Sequence, residues 1–129
     1  MAKVPEDRRY LSSHEWALPE DGVVVVGISE FAAEELGELV YIDLPNLGSA
    51  VTARENFGEI ESVKAVSELN SPISGKVVAV NVDLVDRLEL ISKSSYEEGW
   101  MIKVEPIDES ELENLLDACA YSDQLDSDE

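Results

Sequence analysis

The sequence predicts a mainly β protein that ends in a helix. From residue 23 to residue 106, short apolar or alternating runs are separated by turn residues at short intervals. This pattern is typical of a compact β-sandwich or barrel and not of an α/β arrangement. Beyond it, apolar residues recur at i, i+3, i+4 and i+7, the spacing of an amphipathic helix: Leu112, Leu115, Leu116 and Cys119.

Flanking residues indicate where the first strand and the first helix begin and end. "VVVVGI" (Val23–Ile28) follows the turn sequence "PEDG" and is typical of a buried strand. Ser29 can cap a short helix near residues 29–36, and Gly37 can end it. "LVYIDLP" (Leu39–Pro45) alternates and then stops at a proline, as a strand does.

Two turns organise the middle of the chain. "FGEIESV" (Phe57–Val63) is a predicted strand, and a tight turn follows it at "KAV" (64–66). A second turn at Ser74 and Gly75 leads into a long predicted strand that runs to residue 84. Four residues of this strand are expected to share one face: Val78, Val80, Val82 and Leu84.

The end of the chain changes from strand to helix. "WMIKVEP" (Trp100–Pro106) alternates, and one set of its side chains is predicted to face inward: Trp100, Ile102 and Val104. Asp108 and Glu111 resemble a capping box at the start of the helix. No Lys or Arg follows Lys103, and residues 122–129 are predicted to form a frayed acidic tail.

The charge of the chain limits its partners. The 129 residues carry a net charge of -20, which argues against nucleic acid and against anionic membrane surfaces, since both require Lys and Arg. Basic protein surfaces and cationic ligands are the partners that this charge favours. Solubility or a salt-rich cytoplasm explains most of these charges equally well.

The single cysteine and the absence of a long apolar run indicate the cellular compartment in which the protein is expected. One cysteine, Cys119, cannot form a disulfide within the chain, which is compatible with a reducing compartment. No apolar run approaches the length of a membrane span. The chain is therefore expected in the cytoplasm, or in the mitochondrial matrix if a presequence has been removed.

No catalytic or metal-binding constellation can be assembled from the reactive residues. His14 is the only histidine, so neither a catalytic triad nor a histidine-rich metal site is available. Cys119 has no basic neighbour to lower its pKa and is expected to be a small core residue. The carboxylates lack calcium-loop spacing, and no glycine-rich phosphate loop is present. The chain is predicted not to be an enzyme.

Lys64 is the residue whose placement suggests chemistry. A tight turn between two strands would project its amine from a rigid base, with four methylenes of reach. Its acidic surroundings favour recognition by a basic modifying enzyme, and acylation would convert the side chain into a long flexible arm. An ordinary exposed turn lysine is the competing interpretation. Lys76, beside the second turn, lacks comparable flanking residues.

The segment around Lys64 resembles the H proteins of the glycine cleavage system. "ESVKA" (Glu61–Ala65) matches the family's lipoate-carrying core, and "SPISGKV" (Ser71–Val77) follows it as in the family. Further matches are "SHEW" (Ser13–Trp16), "LGELVYIDLP" (Leu36–Pro45) and "EGWMIKV" (Glu98–Val104). Together they span roughly residues 9–121. Other lipoyl and biotinyl domains also place a lysine at a hairpin tip, but they lack the "SHEW" and "EGWM" segments.

The resemblance implies a fold and a set of site residues. The fold would be a barrel-sandwich hybrid like that of lipoyl domains, with a C-terminal helix. Residues 1–129 would form a single lipoyl-carrier domain in which residues 1–8 are a lead-in segment. Lipoate would be covalently attached to Lys64, with Glu61 recognised by the lipoylating enzyme. Ser13 and Glu15 would contribute to a cleft that receives the arm.

The resemblance also implies a role and partners. The chain would be a monomeric carrier that takes an aminomethyl group from glycine decarboxylase, the P protein, to aminomethyltransferase, the T protein. Dihydrolipoamide dehydrogenase, the L protein, would reoxidise the arm. Two alternatives remain open at this point. The chain could be an H-like lipoyl donor or relay protein, or it could be an unmodified acidic interaction module.

The chain departs from the family pattern in three respects. Arg87 and Leu88 stand where the family commonly has an Asn-Pro pair, and a proline often found before Tyr96 is missing. Glu35 stands where some members have histidine. These departures bear on how the arm docks, whereas the core around Lys64 is intact.

Overall fold

Two antiparallel sheets share one apolar core. The computed structural model describes residues 4–128, with side chains described through residue 125. In chain order the strands are β1 (Arg9–Tyr10), β2 (Glu15–Glu20), β3 (Val23–Ile28), β4 (Leu39–Asp43), β5 (Ala50–Val51), β6 (Asn56–Ser62), β7 (Val66–Asn70), β8 (Gly75–Val80) and β9 (Ile102–Pro106). The larger sheet has the order β1-β2-β3-β9-β8-β5, and the smaller has the order β4-β6-β7.

Short helices connect and flank the two sheets. They are α1 (Glu30–Leu36), α2 (Asp83–Asp86), α3 (Glu89–Lys93), a 3₁₀ helix (Glu109–Asn114) and α4 (Ala118–Asp128). The mainly β architecture expected from the sequence is confirmed. No helix in the described part of the chain has the length and apolar character needed to cross a membrane.

Strand β3 is buried on both of its faces. Val24 and Val26 belong to the core shared by the two sheets, whereas Val25 packs with Tyr10 and Trp16 in a second cluster. A continuous run of valines suits a strand that has no solvent-facing side. The strand predicted at Val23–Ile28 is confirmed with those bounds.

The predicted short helix is confirmed as α1. The side-chain oxygen of Ser29 accepts a hydrogen bond from the amide of Ala32 at 3.2 Å. Gly37 follows the helix with a φ of 77°, a backbone conformation that side chains with a Cβ rarely adopt. The next strand is shorter than predicted, because β4 ends at Asp43.

The long strand predicted after the second turn is wrong in its second half. Strand β8 ends at Val80, and the side-chain amide of Asn81 donates to two backbone carbonyls of the segment before β9, at 2.9 and 2.8 Å. The chain then turns into α2, which buries Leu84 and leaves Val82 exposed. The predicted common face is therefore also wrong, and Val78 lies on the exposed side of β8.

Strand β9 follows the predicted alternation. Ile102 and Val104 are fully buried, and Glu105 is exposed. Trp100 lies just before the strand and is only half-buried. The ammonium of Lys103 lies 5.1 Å from the centre of its ring, over the indole.

The C-terminal helix begins later than predicted. Residues 109–114 form a 3₁₀ helix, and Leu116 then exchanges two backbone hydrogen bonds with Tyr10, each 2.8 Å long. This bridge uses backbone groups that a continuous helix would need for itself, so α4 starts only at Ala118. Cys119 is exposed, which corrects the expectation of a core residue.

Two details of the C-terminal segment also differ from prediction. The Glu111 carboxylate does not close a capping box; it accepts hydrogen bonds from the amide of Ser74 at 2.8 Å and from its hydroxyl at 3.1 Å. The tail predicted to be frayed from residue 122 is helical through Asp128, and Leu125 is buried. Residues 1–3 of the lead-in segment and residue 129 lie outside the described residues.

Candidate functional site

The hairpin between β6 and β7 carries Lys64 at its tip. Strand β6 ends at Ser62 and β7 begins at Val66, so residues 63–65 form the tip. Lys64 is exposed, and within residues 4–125 no carboxylate forms an ion pair with its ammonium. Its Cε stands 3.8 Å from the position that a Cβ on Gly37 would occupy. The amine is therefore accessible, and its stem passes the end of α1.

Several hydrogen bonds hold the turn that presents Lys64. The buried Ser62 hydroxyl accepts hydrogen bonds from the amides of Lys64 at 3.3 Å and Ala65 at 3.2 Å. The Ser62 amide donates to the Ala65 carbonyl at 2.8 Å, and the Val63 amide donates to the Glu38 carbonyl at 3.0 Å. These contacts fix the base of the lysine while its side chain remains in solvent.

The outer face of the smaller sheet is apolar near the tip and acidic farther away. Tyr41, Glu61 and Val66 lie directly opposite one another on the three strands, so they share this face. Tyr41 is 52% exposed and Val66 is 60% exposed. The next row on the same face consists only of carboxylates, all exposed: Asp43, Glu59 and Glu68. Glu61 is therefore the carboxylate of this face nearest the lysine in the ladder.

A cleft opens between α1, the turn before β2 and strand β7. Its volume is about 210 Å³. We call it the α1 cleft, and its lining residues are Ser13, His14, Glu15, Ile28, Phe31, Ala32, Glu35, Leu36, Ile60, Ser67, Glu68 and Leu69. The structure thus brings Ser13 and Glu15 together in one cleft, whereas Lys64 and Glu61 lie outside its lining.

Glu15 is a buried carboxylate in the wall of this cleft. It is 1% exposed. Its Oε1 accepts a hydrogen bond from the Ser13 hydroxyl, and its Oε2 accepts one from the Asn70 amide at 2.8 Å. Burial raises the pKa of the Glu15 carboxyl above its ordinary value, against the lowering effect of these two hydrogen bonds. A carboxylate held in this way is suited to accept a cation that enters the cleft.

His14 has a place in the cleft that the sequence did not indicate. It adopts a φ of 86°, which is rare for a residue other than glycine. Its Nδ1 lies 2.7 Å from the hydroxyl of Tyr121, and its ring centre lies 5.1 Å from that of Phe31. Because 107 residues separate His14 from Tyr121, no local sequence pattern could have identified the contact.

A larger depression of about 400 Å³ lies beside the end of α1, against α2 and α3. It also reaches Gly37, next to the stem of Lys64. Its charged residues are all exposed: Glu38, Asp86, Glu89 and Lys93. It has no buried carboxylate comparable to Glu15, so the smaller α1 cleft is the better candidate for specific binding. Among the described residues no cluster of His, Cys, Asp and Glu could hold a metal ion.

Comparisons with known proteins identify a family and several similar chains. The model of the family described as "Glycine cleavage H-protein" matches residues 8–128. The glycine cleavage system H protein of Anaeromyxobacter sp. (strain K) is 53% identical over 119 residues, covering 92% of this chain and 93% of that protein. The one from Alcanivorax borkumensis is 49% identical over 127 residues, covering 98% and 99%. The crystal structure of a glycine cleavage system H protein from Mycobacterium marinum superposes with a TM-score of 0.88 at 41% identity, covering 95% of this chain and 99% of that one.

Proposed function

This chain belongs to the glycine cleavage H-protein family, and we propose that it carries a lipoyl arm on Lys64 for the glycine cleavage system. One observation carries the assignment of the residue. Lys64 is an exposed lysine without an ion pair in the described residues, at the tip of a hairpin whose turn is fixed by Ser62. A modifying enzyme can reach such an amine without disturbing the fold.

The residues around Lys64 fit a lipoyl group. Val63 and Val66 are 67% and 60% exposed and offer apolar contact to an alkyl chain at its point of attachment. The stem of the lysine passes Gly37, with its Cε 3.8 Å from the position that a Cβ there would occupy. Once attached, the lipoyl group supplies a disulfide that can accept an aminomethyl group and can be reduced and reoxidised.

We assign three enzymes to the system that this carrier serves. Glycine decarboxylase removes carbon dioxide from glycine and loads the aminomethyl group. Aminomethyltransferase passes the carbon to tetrahydrofolate and releases ammonia. Dihydrolipoamide dehydrogenase reoxidises the dithiol. The chain itself is assigned the part of a carrier and no catalytic residue.

The α1 cleft is proposed to hold the loaded end of the arm. The cargo, the aminomethyl group, is cationic and is joined through a carbon that water can attack. Apolar residues of the cleft, among them Phe31, Ile60 and Leu69, would keep water from this carbon. The buried Glu15 carboxylate would accept the cationic nitrogen, and Ser13 orients that carboxylate.

Glu61 is proposed as a recognition point for the lipoylating enzyme. It lies on the outer face of β6, three residues before Lys64, between Tyr41 and Val66. A basic enzyme that approaches the tip would meet this carboxylate before it reached the row that contains Glu59.

Intact mass spectrometry tests the assignment. The chain would be expressed in cells supplied with lipoate, and the modified peptide would be mapped. We expect one lipoyl group on Lys64 in the native chain, none in Lys64→Arg, and one in the control Lys76→Arg. A native chain left unmodified, in cells that lipoylate a control domain, would contradict the proposal and favour an acidic interaction module.

A second assay separates the carrier from a lipoyl donor or relay protein. Purified glycine decarboxylase and aminomethyltransferase would be supplied with the lipoylated chain. Exchange of carbon dioxide with glycine, followed by transfer to tetrahydrofolate, is the expected outcome. A lipoylated chain that neither enzyme used would instead assign the chain to the donor or relay role.

A further inference from the structure

Tyr121 on α4 joins the two walls of the α1 cleft. The side chain is fully buried. Its hydroxyl lies 2.7 Å from Nδ1 of His14 and 2.7 Å from the hydroxyl of Ser29. His14 belongs to the turn that supplies Ser13 and Glu15, and Ser29 caps α1, the opposite wall.

The two groups held by Tyr121 also contact each other. The Ser29 amide donates to the His14 carbonyl at 2.9 Å, while the Ser29 side chain accepts from the Ala32 amide at 3.2 Å. A shift of His14 would therefore disturb the cap of α1, the helix that carries Phe31 and Leu36 into the cleft. The tyrosine hydroxyl thus contacts one residue from each wall, His14 and Ser29.

The conformation of His14 needs such support. Its φ of 86° lies in the left-handed region, which costs free energy for a residue other than glycine. Strained conformations persist where the surrounding contacts determine them. Helix α4 makes a second contact with the turn that contains His14: Gln124 Nε2 donates to the Ser12 carbonyl at 2.8 Å.

We propose that Tyr121 is a positioning residue of the α1 cleft, whose hydroxyl sets the distance between the Ser13–Glu15 turn and α1. This inference rests on the proposed function, since it assigns the C-terminal helix a part in protecting the loaded arm. Tyr121 does not touch the arm in this scheme. It acts through His14 and Ser29 on the residues that do.

Two tyrosine variants provide a matched pair. Tyr121→Phe removes the hydroxyl and keeps the ring, which stacks on Tyr10 with 4.5 Å between ring centres. Tyr10→Phe removes the other hydroxyl of the same stacked pair, which donates to the Pro5 carbonyl at 2.6 Å and lies away from the cleft. Each variant loses one hydrogen-bonding hydroxyl, so both should lower the melting temperature.

The first readout is the amide proton of Asn70 in the unmodified chain. This proton is donated to Glu15 at 2.8 Å and therefore reports the position of the carboxylate. In nuclear magnetic resonance spectra we expect it to move upfield in Tyr121→Phe, as its hydrogen bond lengthens, and to stay in place in Tyr10→Phe. Because no lipoyl group is needed, this readout remains decisive even if Lys64 proves to be unmodified.

The second readout is the lifetime of the cargo on the lipoylated chain after glycine decarboxylase has been removed. Intact mass would follow the loss of the aminomethyl group in buffer. We expect the loss to accelerate about fivefold in Tyr121→Phe, because one lost hydrogen bond changes the ratio of native to disturbed cleft by about that factor. In Tyr10→Phe we expect the rate of loss to be unchanged.

Either of two results would overturn the proposal. In one, Tyr121→Phe melts lower but leaves the Asn70 amide or the cargo lifetime at the native value. In the other, Tyr10→Phe moves both readouts equally. If Tyr121→Phe does not fold, Gln124→Ala takes its place, because it removes the surface bond to Ser12. A smaller change in the same direction would support the proposal, and no change would refute it.

Discussion

The carboxylate of Glu15 accepts a hydrogen bond from the backbone amide of Asn70 at 2.8 Å, which joins strand β2 of the larger sheet to strand β7 of the smaller one. The contact lies in the wall of the α1 cleft, where Glu15 is 1% exposed. Because β7 follows directly from the turn that carries Lys64, the position of the carboxylate is tied to the hairpin that presents the lysine.

Glu15→Gln should weaken retention of the cargo without disrupting the cleft. The amide oxygen can accept from Asn70, and the amide nitrogen can donate to the Ser13 hydroxyl, so both contacts survive while the charge is lost. We expect the aminomethyl group to be lost about tenfold faster, which corresponds to about 1.4 kcal/mol for one charged contact. The decay of the loaded species in intact mass spectra measures this rate, and native decay would remove Glu15 from the proposed site.

The same variant should change the pH dependence of stability. Burial raises the pKa of folded Glu15 above its unfolded value, so the folded chain binds the proton more tightly. Stability is therefore highest below the unfolded pKa, falls as pH rises through the interval between the two values, and then levels off. Urea unfolding from pH 4 to pH 7 should show this fall in the native chain and a smaller one in Glu15→Gln. Parallel curves would contradict the raised pKa.

Glu61→Gln should slow lipoylation of Lys64. The loss of one charge-assisted contact with the modifying enzyme should reduce the rate about tenfold. Glu59→Gln is the control, because Glu59 lies on the same face of the same strand, two residues farther from the lysine. Initial rates of mass increase with a purified lipoylating enzyme would be compared. Equal rates for the two variants would mean that only the general charge of this face matters.

Lys64→Ala should abolish carrier activity and leave stability within about 0.5 kcal/mol of the native value, as is usual for exposed surface positions. The side chain is exposed, and its turn is held by backbone and Ser62 contacts that do not involve the lysine side chain. Chemical unfolding and transfer of the aminomethyl group would be measured side by side with Lys76→Ala. A marked loss of stability would show that the lysine stem is packed.

Gly75→Ala should destabilise the fold because of a close approach between strands. A Cβ at this position would lie 2.1 Å from the Glu105 carbonyl oxygen and 2.7 Å from a methyl carbon of Val104. Overpacking of this kind costs about 1–3 kcal/mol or more. Gly22→Ala is the control: its φ is 86° but its surroundings are open, so only a backbone cost of about 1 kcal/mol is expected. Equal losses in urea unfolding would disprove the close approach.

Features that depend on neighbouring residues could be predicted from the sequence. Ser29 and Gly37 bound α1 because capping and a left-handed φ are properties of a few adjacent residues. The valines of β3 indicated a buried strand for the same local reason. The 3₁₀ and α4 helices were not predicted separately, because the bridge between Tyr10 and Leu116 joins residues that are far apart in the sequence.

The same distinction between local and long-range contacts applies to the candidate site. The exposed hairpin position of Lys64 followed from the strands and turn around it. The roles of Ser13 and Glu15 came only from resemblance, and the partners that hold Glu15 include Asn70 from the other sheet. The side-chain contact between His14 and Tyr121 could not be predicted. Helical periodicity placed Leu112 and Cys119 on the apolar face and gave Tyr121 no special role.

The row of Asp43, Glu59 and Glu68 has a consequence for how copies of this protein behave together. The valines and tyrosine beside Lys64 form an exposed apolar tip of the kind that promotes self-association. Like charges directly opposite one another on neighbouring strands destabilise a sheet. Here the three carboxylates lie beside the apolar tip, on the same face of the smaller sheet. Two copies that approach tip to tip would bring these rows together, and their mutual repulsion acts as a colloidal barrier. A basic partner is not repelled by these carboxylates. The same three residues therefore oppose self-association and still allow a basic protein to bind.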